Sequence, residues 1–373
     1  MRIVNNPFLL IGYRGKSYFC NRKDELKWLS DNVKNDRNSV LYSWRRLGKS
    51  ALIKCFLAEQ EKSKKADCIY VDLLATRDIR ESIKQIAQSV IDRYGKTESG
   101  FGAAMRNLLG KIGFDVGFDP VTGLPSLSLG LRHEPVPEQS LHALGEFLSE
   151  QKKQVIIALD EFQQVATFGA ENGEAVFRLW AQEFPQIRFI YSGSHRQMMS
   201  SMFSEKNRPF YRSAQLLELH PINLKDYRQF IRKHFSAHNK KIDSDTIEAI
   251  YEWSRGQTYC IQLICNRLFG QYDDVKKQYL HTIYQEILEQ ENTVFSNYFN
   301  LLTETQWNVL RAVAKEEPMI NPFSKEILTR YRLGAASSVS SAMQQLQTKE
   351  LVIKDGNSFL VHDVIFARWL QNR

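Results

Sequence analysis

Ser43-Trp44-Arg45-Arg46-Leu47-Gly48-Lys49-Ser50 is the stretch on which the reading of this chain turns. It follows the apolar run Val40 to Tyr42, which is of strand length, and it precedes a helical pattern beginning near Lys49. A bound phosphate needs backbone N–H groups converging at a helix N-terminus, a lysine to reach the β and γ phosphates, and a hydroxyl for Mg2+. Gly48, Lys49 and Ser50 supply that ending, whereas Ser43 stands where the full phosphate-loop consensus has its first glycine. A Gly-Lys-Ser/Thr triplet alone turns up by chance in about one chain of this length in six. A second motif must therefore carry part of the argument.

That motif is Val155-Ile156-Ile157-Ala158-Leu159-Asp160-Glu161, an apolar run ending in two acids about 110 residues after the first. A buried strand tolerates two carboxylates only at its open C-terminal end. There Asp160 is placed to hold Mg2+ and Glu161 to polarise an attacking water, the Walker B arrangement. GTP is disfavoured as the nucleotide because Asn239-Lys240-Lys241-Ile242-Asp243 is one residue out of register for the guanine-recognition motif.

Further runs of strand length lie at Ser39 to Tyr42, Cys68 to Leu73, Gln154 to Leu159, Ile187 to Tyr191 and Gln215 to Leu219. The segments between them are amphipathic. In Ile79 to Tyr94 the apolar residues Ile79, Ile83, Ile86, Val90 and Ile91 follow the spacing of one helix face. Strands alternating with such helices predict a doubly wound parallel sheet in an α/β fold. Gly95 to Pro137 breaks the alternation and reads as an insertion holding a hairpin or a mobile flap. Ile222 to about Asn300 is wholly helical in pattern. From Thr303, whose spacing to Gln306 signals a capping box, helices at Ser324 to Tyr331 and Ala336 to Thr348 precede a hairpin turning at Lys354 to Asn357. Three helices and a wing predict a winged helix-turn-helix. The expected domains are 1–220, 221–300 and 301–373.

The 373 residues fit two or three domains. A composition of 43% hydrophobic and 25% charged residues excludes disordered, collagen-like and coiled-coil chains. The net charge of +8 permits an anionic partner without demanding one. The five scattered cysteines show no zinc-ligand spacing and argue against a disulfide scaffold. No apolar run approaches the roughly 18 residues that span a bilayer, and the opening MRIVNNPFLLIGY has too short an apolar core for a signal peptide. A cytoplasmic protein without a membrane partner is expected.

Arg45 to Ser50, Ile69-Tyr70-Val71-Asp72-Leu73, Leu159-Asp160-Glu161-Phe162-Gln163, Phe189 to Ser194 and Pro209-Phe210-Tyr211-Arg212 together resemble the archaeal-type P-loop ATPases, on the STAND and origin-recognition side of the AAA+ superfamily. The resemblance covers nearly the whole chain and implies an AAA+-like P-loop NTPase domain, a helical lid and a C-terminal winged helix. It implies ATP and Mg2+ as ligands, bound by Arg45, Arg46, Leu47, Gly48, Lys49, Ser50 and Ala51, with Ser50 and Asp160 at the metal and Glu161 and Lys49 at the chemistry. Phe19 to Leu26 is similar to the family's N-terminal box beside the adenine, with Asn21 replacing its glycine, and so implicates Arg22; a helix start capped by Asn21 is the competing reading. Ser192 matches the sensor-1 position, with Ser194 and His195 as rivals. Arg212 matches an arginine that completes a site in cis or enters a neighbour's as a finger, which would need a homo-oligomer. Ser254 to Gln262 resembles the lid segment that packs on the adenine, with Thr258 in place of its proline.

For the winged helix two readings stay open. Ala336 to Gln347 offers serines and glutamines to DNA but no arginine, and Arg330, Arg332, Lys349 and Lys354 flank it beside Glu350 and Asp355. The alternative is a protein contact. The lid cations Lys225, Arg228, Arg232, Lys233, Lys240 and Lys241 are either a solvated face or a strip for nucleic acid. Overall the residues point to a slow nucleotide-dependent ATPase switch, with a DNA-binding regulator that keeps ATP as a structural ligand as the alternative.

Overall fold

The computed structural model describes residues 6–95, 103–118, 125–129, 136–169 and 172–373. The chain divides into two compact units, Gly12–His220 and Pro221–Arg373 with the N-terminal residues up to Ile11.

In the first unit, α1 (Lys23–Lys34), β1 (Ser39–Tyr42), α2 (Lys49–Lys62), β2 (Ala66–Asp72) and α3 (Ile79–Tyr94) lead to α4 (Ala103–Ile112), β3 (Phe114–Phe118) and β4 (Pro125–Leu129). Then come α5 (Pro137–Ser149), β5 (Gln154–Asp160), α6 (Gly173–Glu183), β6 (Arg188–Gly193), α7 (Arg196–Ser204) and β7 (Gln215–Glu218). Five strands form one parallel sheet in the order β2-β5-β6-β1-β7. Their alternation sorts side chains to two cores, as a period of two requires. Val40, Ile69, Val71, Ile157, Leu159, Phe189 and Tyr191 face α3, α5, α6 and α7, whereas Leu41, Cys68, Ile156, Ala158 and Ile190 face α1 and α2. Both faces are covered, so the strands read as continuous apolar runs.

The segment predicted as an insertion is in part an independent antiparallel hairpin, β3 with β4, pairing Phe114 with Leu129. It is more than a hairpin, because α4 buries Met105, Leu108, Leu109 and Ile112 in the same core as α3. The flap reading of Leu124, Gly130 and Leu131 falls outside the described residues.

The second unit contains α8 (Leu224–Ser236), β8 (Lys241–Ile242), α9 (Ser244–Trp253), α10 (Thr258–Gln271), β9 (Asp274–Val275), α11 (Leu280–Ser296) and α12 (Tyr298–Leu301). It continues with α13 (Glu304–Lys315), α14 (Lys325–Arg330), α15 (Ala336–Thr348), β10 (Val352–Asp355), β11 (Ser358–Val361) and α16 (Val364–Gln371). The expectation of a purely helical stretch after Pro221 is corrected: β8 and β9 form a parallel pair, too short to leave an apolar alternation in the sequence. The capping box is complete, with Gln306 N donating to Thr303 Oγ1 at 3.3 Å and Thr303 N donating to Gln306 Oε1 at 3.1 Å. The wing pairs Val352 with Val361. A terminal helix that sequence reading did not single out, α16, starts at Asp363, which accepts from the N–H groups of Ile365 and Phe366. Phe8 packs within this unit against Phe235 and Phe269, with ring centroids 5.5 and 5.8 Å away. No helix among the described residues is long and apolar enough to cross a membrane.

Candidate active site

The C-terminal ends of β1, β2, β5 and β6 converge on one cavity of about 470 Å3. Its lining includes Arg45, Arg46, Gly48, Lys49, Ser50, Ala51 and Glu161 among the residues predicted from sequence. Gly12, Lys54, Tyr70, Asp72, Leu74 and Ser194 complete it. Parallel sheets open their ligand sites at this edge because the strand-to-helix turns there leave helix N-termini free.

The phosphate loop runs from β1 into α2. Gly48 adopts φ 90, a left-handed backbone that glycine enters without steric cost, and it is the residue from which α2 starts. Lys49 is only 5% exposed, and its ammonium donates to Ser43 Oγ at 3.1 Å and to the carbonyls of Ser43 and Trp44 at 3.4 Å each. Burial pulls the Lys49 pKa below the ordinary lysine value, with the charges of Glu161 and Asp160 acting in the opposite direction.

Asp160 ends β5 and is 2% exposed. Ser50 Oγ and Tyr70 OH each donate to its Oδ2 at 2.6 Å, while Glu161 N at 3.0 Å and the Ser192 hydroxyl donate to Oδ1. Glu161 turns the chain at φ 53. Its Oε2 accepts from Gln163 Nε2 at 2.5 Å, Ser194 Oγ at 2.7 Å and Ser194 N at 3.3 Å. Phe162, immediately after it, is fully buried and packs on Tyr191 and Phe210 with centroids 4.5 and 5.3 Å apart. That aromatic anchor fixes where the two acids project. Gly193 keeps the clamp close, since a Cβ there would lie 2.2 Å from Gln163 Oε1.

Other expected residues lie elsewhere. Ser192 is completely buried on Asp160 and does not line the cavity; its rival Ser194 does. His195 caps α7, its Nδ1 accepting from Met198 N at 3.2 Å. Leu47 is buried beneath the loop, and Arg22 donates to the Leu47 carbonyl at 3.3 Å and to Glu25 at 2.7 Å, so it braces the loop from behind. The reading of Asn21 as a helix cap is corrected: Arg22 is the N-cap, without a side-chain capping bond to the first turn's N–H groups, and Asn21 sits at φ 49. Asparagine tolerates that left-handed backbone, which accounts for its standing in for glycine. Arg212 is exposed at φ 54, its guanidinium 5.1 Å over the Tyr211 ring, and it is outside the cavity lining.

Sequence reading missed Lys54, Tyr70 and Asp72 as site residues. Lys54 follows Ser50 by four positions, a visible same-face signal on α2, and its ammonium lies 4.4 Å over the Tyr70 ring. Tyr70 and Asp72 reach the site because β2 pairs with β5 so that Asp72 opposes Asp160. Burial, and after it the charge of Asp160, raises the Tyr70 phenol; burial also raises the Asp72 carboxyl.

Among the described residues no group of three or more His, Cys, Asp and Glu could hold a metal ion. Ser50 Oγ beside Asp160 is instead an all-oxygen pair, which fits Mg2+, an ion that takes one or two protein oxygens and completes its shell with phosphate and water.

A parallel sheet in this order, with a glycine-lysine-serine loop between β1 and α2 and paired acids at the end of β5, defines a P-loop nucleoside triphosphatase fold. Residues 19–264 match the sequence model described as an ATPase domain predominantly from Archaea, and the chain belongs to that family. Residues 293–372 match a probable winged helix domain. The fold is similar to the Walker-type ATPase PABY2304 of Pyrococcus abyssi, at TM-score 0.70 and 18% identity over 98% of this chain and 99% of that one. It is also similar to the Aeropyrum pernix ORC2 protein solved in ADPNP–ADP complexes, at TM-score 0.62 and 14% identity over 98% and 96% of the two chains. The Aeropyrum pernix ORC1 protein in complex with DNA aligns at TM-score 0.51 and 14% identity over 95% and 93%. No curated protein sequence matches the chain.

Proposed function

We propose that this chain is a Mg2+-dependent ATPase that hydrolyses ATP slowly and uses nucleotide state as a switch. The observation that carries the proposal is the 2.6 Å bond from Ser50 to Asp160, which joins two motifs 110 residues apart at one cavity also faced by Lys49 and Glu161. The N–H groups around Gly48 and the Lys49 ammonium bind the β and γ phosphates. Arg45 and Arg46, also in the lining, add positive charge beside them. Ser50 and Asp160 would hold Mg2+, which when bound offsets the charge that develops on the phosphoryl oxygens. Glu161 orients the attacking water and accepts its proton, once its carboxylate is released from Ser194 and Gln163. Ser192 is a positioning residue for Asp160.

Arg212 is not among the residues lining this cavity, and its role in this reading is that of a finger entering a neighbouring copy. Arg212→Ala would then lower turnover only under conditions of assembly and leave nucleotide affinity unchanged, measured by light scattering beside phosphate release.

The DNA-binding alternative draws on the exposed Ser337, Ser338, Ser341 and Gln344 of α15. The flanking cations weaken it: Arg330 pairs with Glu316 and Glu326 at 2.5 Å each, and Lys349 donates to the Leu301 carbonyl at 3.1 Å. In the lid, Lys240 pairs with Asp273 at 2.8 Å and Arg228 with Glu248 at 3.5 Å, as on a solvated face. We therefore favour a protein partner for the winged helix. A gel-shift series against salt tests this: a flat response supports it, and salt-sensitive binding lost in Arg332→Ala with Lys354→Ala contradicts it.

A further inference from the structure

We propose that the Ser43 hydroxyl is a docking site for the phosphate-loop lysine, a positioning residue that sets how readily the loop accepts a triphosphate. The inference rests on the nucleotide reading above and deepens it.

The Lys49 ammonium has three protons, and three oxygens of its own loop face it: Ser43 Oγ at 3.1 Å and the Ser43 and Trp44 carbonyls at 3.4 Å. The two carbonyls would be there with any residue at position 43. The hydroxyl is what serine adds where the consensus has glycine, and it supplies the shortest of the three contacts. Ser43 is itself 1% exposed, and its Oγ donates to the Trp44 carbonyl at 2.8 Å, which turns its lone pairs toward the ammonium. Trp44 is held in turn, because the Arg196 guanidinium lies 4.8 Å over its ring and pairs with Glu218 at 2.6 Å. The acceptor is thus fixed, desolvated and charge-assisted, the conditions in which a hydrogen bond is strong.

A γ-phosphate competes with these three oxygens for the protons of the ammonium. Stabilising the empty loop without stabilising the loaded one weakens binding, since only a difference between the two states enters the affinity. Ser43 accordingly tunes the site toward weaker ATP binding than a glycine would give.

The test is titration of a fluorescent ATP analogue, with Mg2+, into wild type, Ser43→Ala and Ser43→Gly. Nucleotide-free melting is followed in each, with and without Lys49→Met. The expected result is tighter binding in both position-43 variants, by roughly fivefold. Nucleotide-free melting should fall in Ser43→Ala, and that fall should shrink in the Lys49→Met background, a coupling that a merely structural serine would not show. Ser43→Gly, which restores the consensus, guards against a misfolded alanine variant. Equal affinity in wild type and both variants overturns the proposal alone. No binding by any of the three overturns the nucleotide reading and this inference with it, whereas binding gained only in the variants supports the proposal in its strongest form.

Discussion

Asp160 and Lys49 are the two buried charges of the site, and each depends on named partners. Asp160 has four donors, so removing one leaves a buried carboxylate short of a bond. Ser192→Ala should cost about 1–3 kcal/mol in denaturant unfolding. Lys49 gives a pH signature. Burial lowers its pKa from 10.5, so between the folded value and 10.5 the folded state binds fewer protons than the unfolded chain, and its share of stability rises with pH across that window. ATP needs the ammonium, so affinity should fall over the same window, at lower pH than an exposed lysine would dictate. In Lys49→Arg the guanidinium stays charged and the fall should vanish. Calorimetric titration between neutral pH and pH 10 checks both arms.

The turn after β5 shows how an element aims a site. Phe162 lies between Tyr191, Phe210 and Phe177, and the Asp160-Glu161 pair projects from this aromatic base. Phe162→Ala should destabilise the protein by about 3–5 kcal/mol and reduce turnover more than the stability loss alone accounts for, measured by unfolding beside phosphate release. At this scale the sequence was largely legible. Val40 to Tyr42 and Gln154 to Leu159 announced buried strands by unbroken apolar character, and Ile79 to Tyr94 announced its helix by spacing. The loop Gly48 to Ser50 and the acids Asp160 and Glu161 announced the candidate site, because their chemistry is confined to consecutive residues. Tyr70 and Asp72 did not, since their place depends on the register of β2 on β5, a long-range pairing that local pattern does not encode. The choice between Ser192 and Ser194 stays open in the sequence for a related reason. Ser192 lies within β6 and Ser194 just after it, and the close approach at Gly193 between them separates the side chain that meets Asp160 from the one that meets Glu161.

At the scale of the whole molecule, the chain is two compact units. Within the second unit, α9 and the winged helix are tied by Arg255, Arg368 and Glu317. Arg255 Nε lies 3.0 Å and Arg368 Nη1 3.3 Å from the same Glu317 oxygen, Arg255 Nη1 donates to the Val361 carbonyl at 2.9 Å, and Arg368 Nε donates to the Trp253 carbonyl at 2.9 Å. Glu317→Gln should leave two largely buried cations uncompensated and cost about 3–5 kcal/mol, read as a separate early unfolding transition. In the switch proposed above, α9 and the winged helix would move as one body. Its central claim, an ATPase powered by the Ser50–Asp160–Glu161 cluster, is tested most directly by phosphate release and ATP-dependent thermal shift in wild type and Glu161→Gln. The account predicts slow release by wild type, its loss in Glu161→Gln, and an upward thermal shift with ATP and Mg2+ in both. No shift in wild type, or undiminished release by Glu161→Gln, would contradict it.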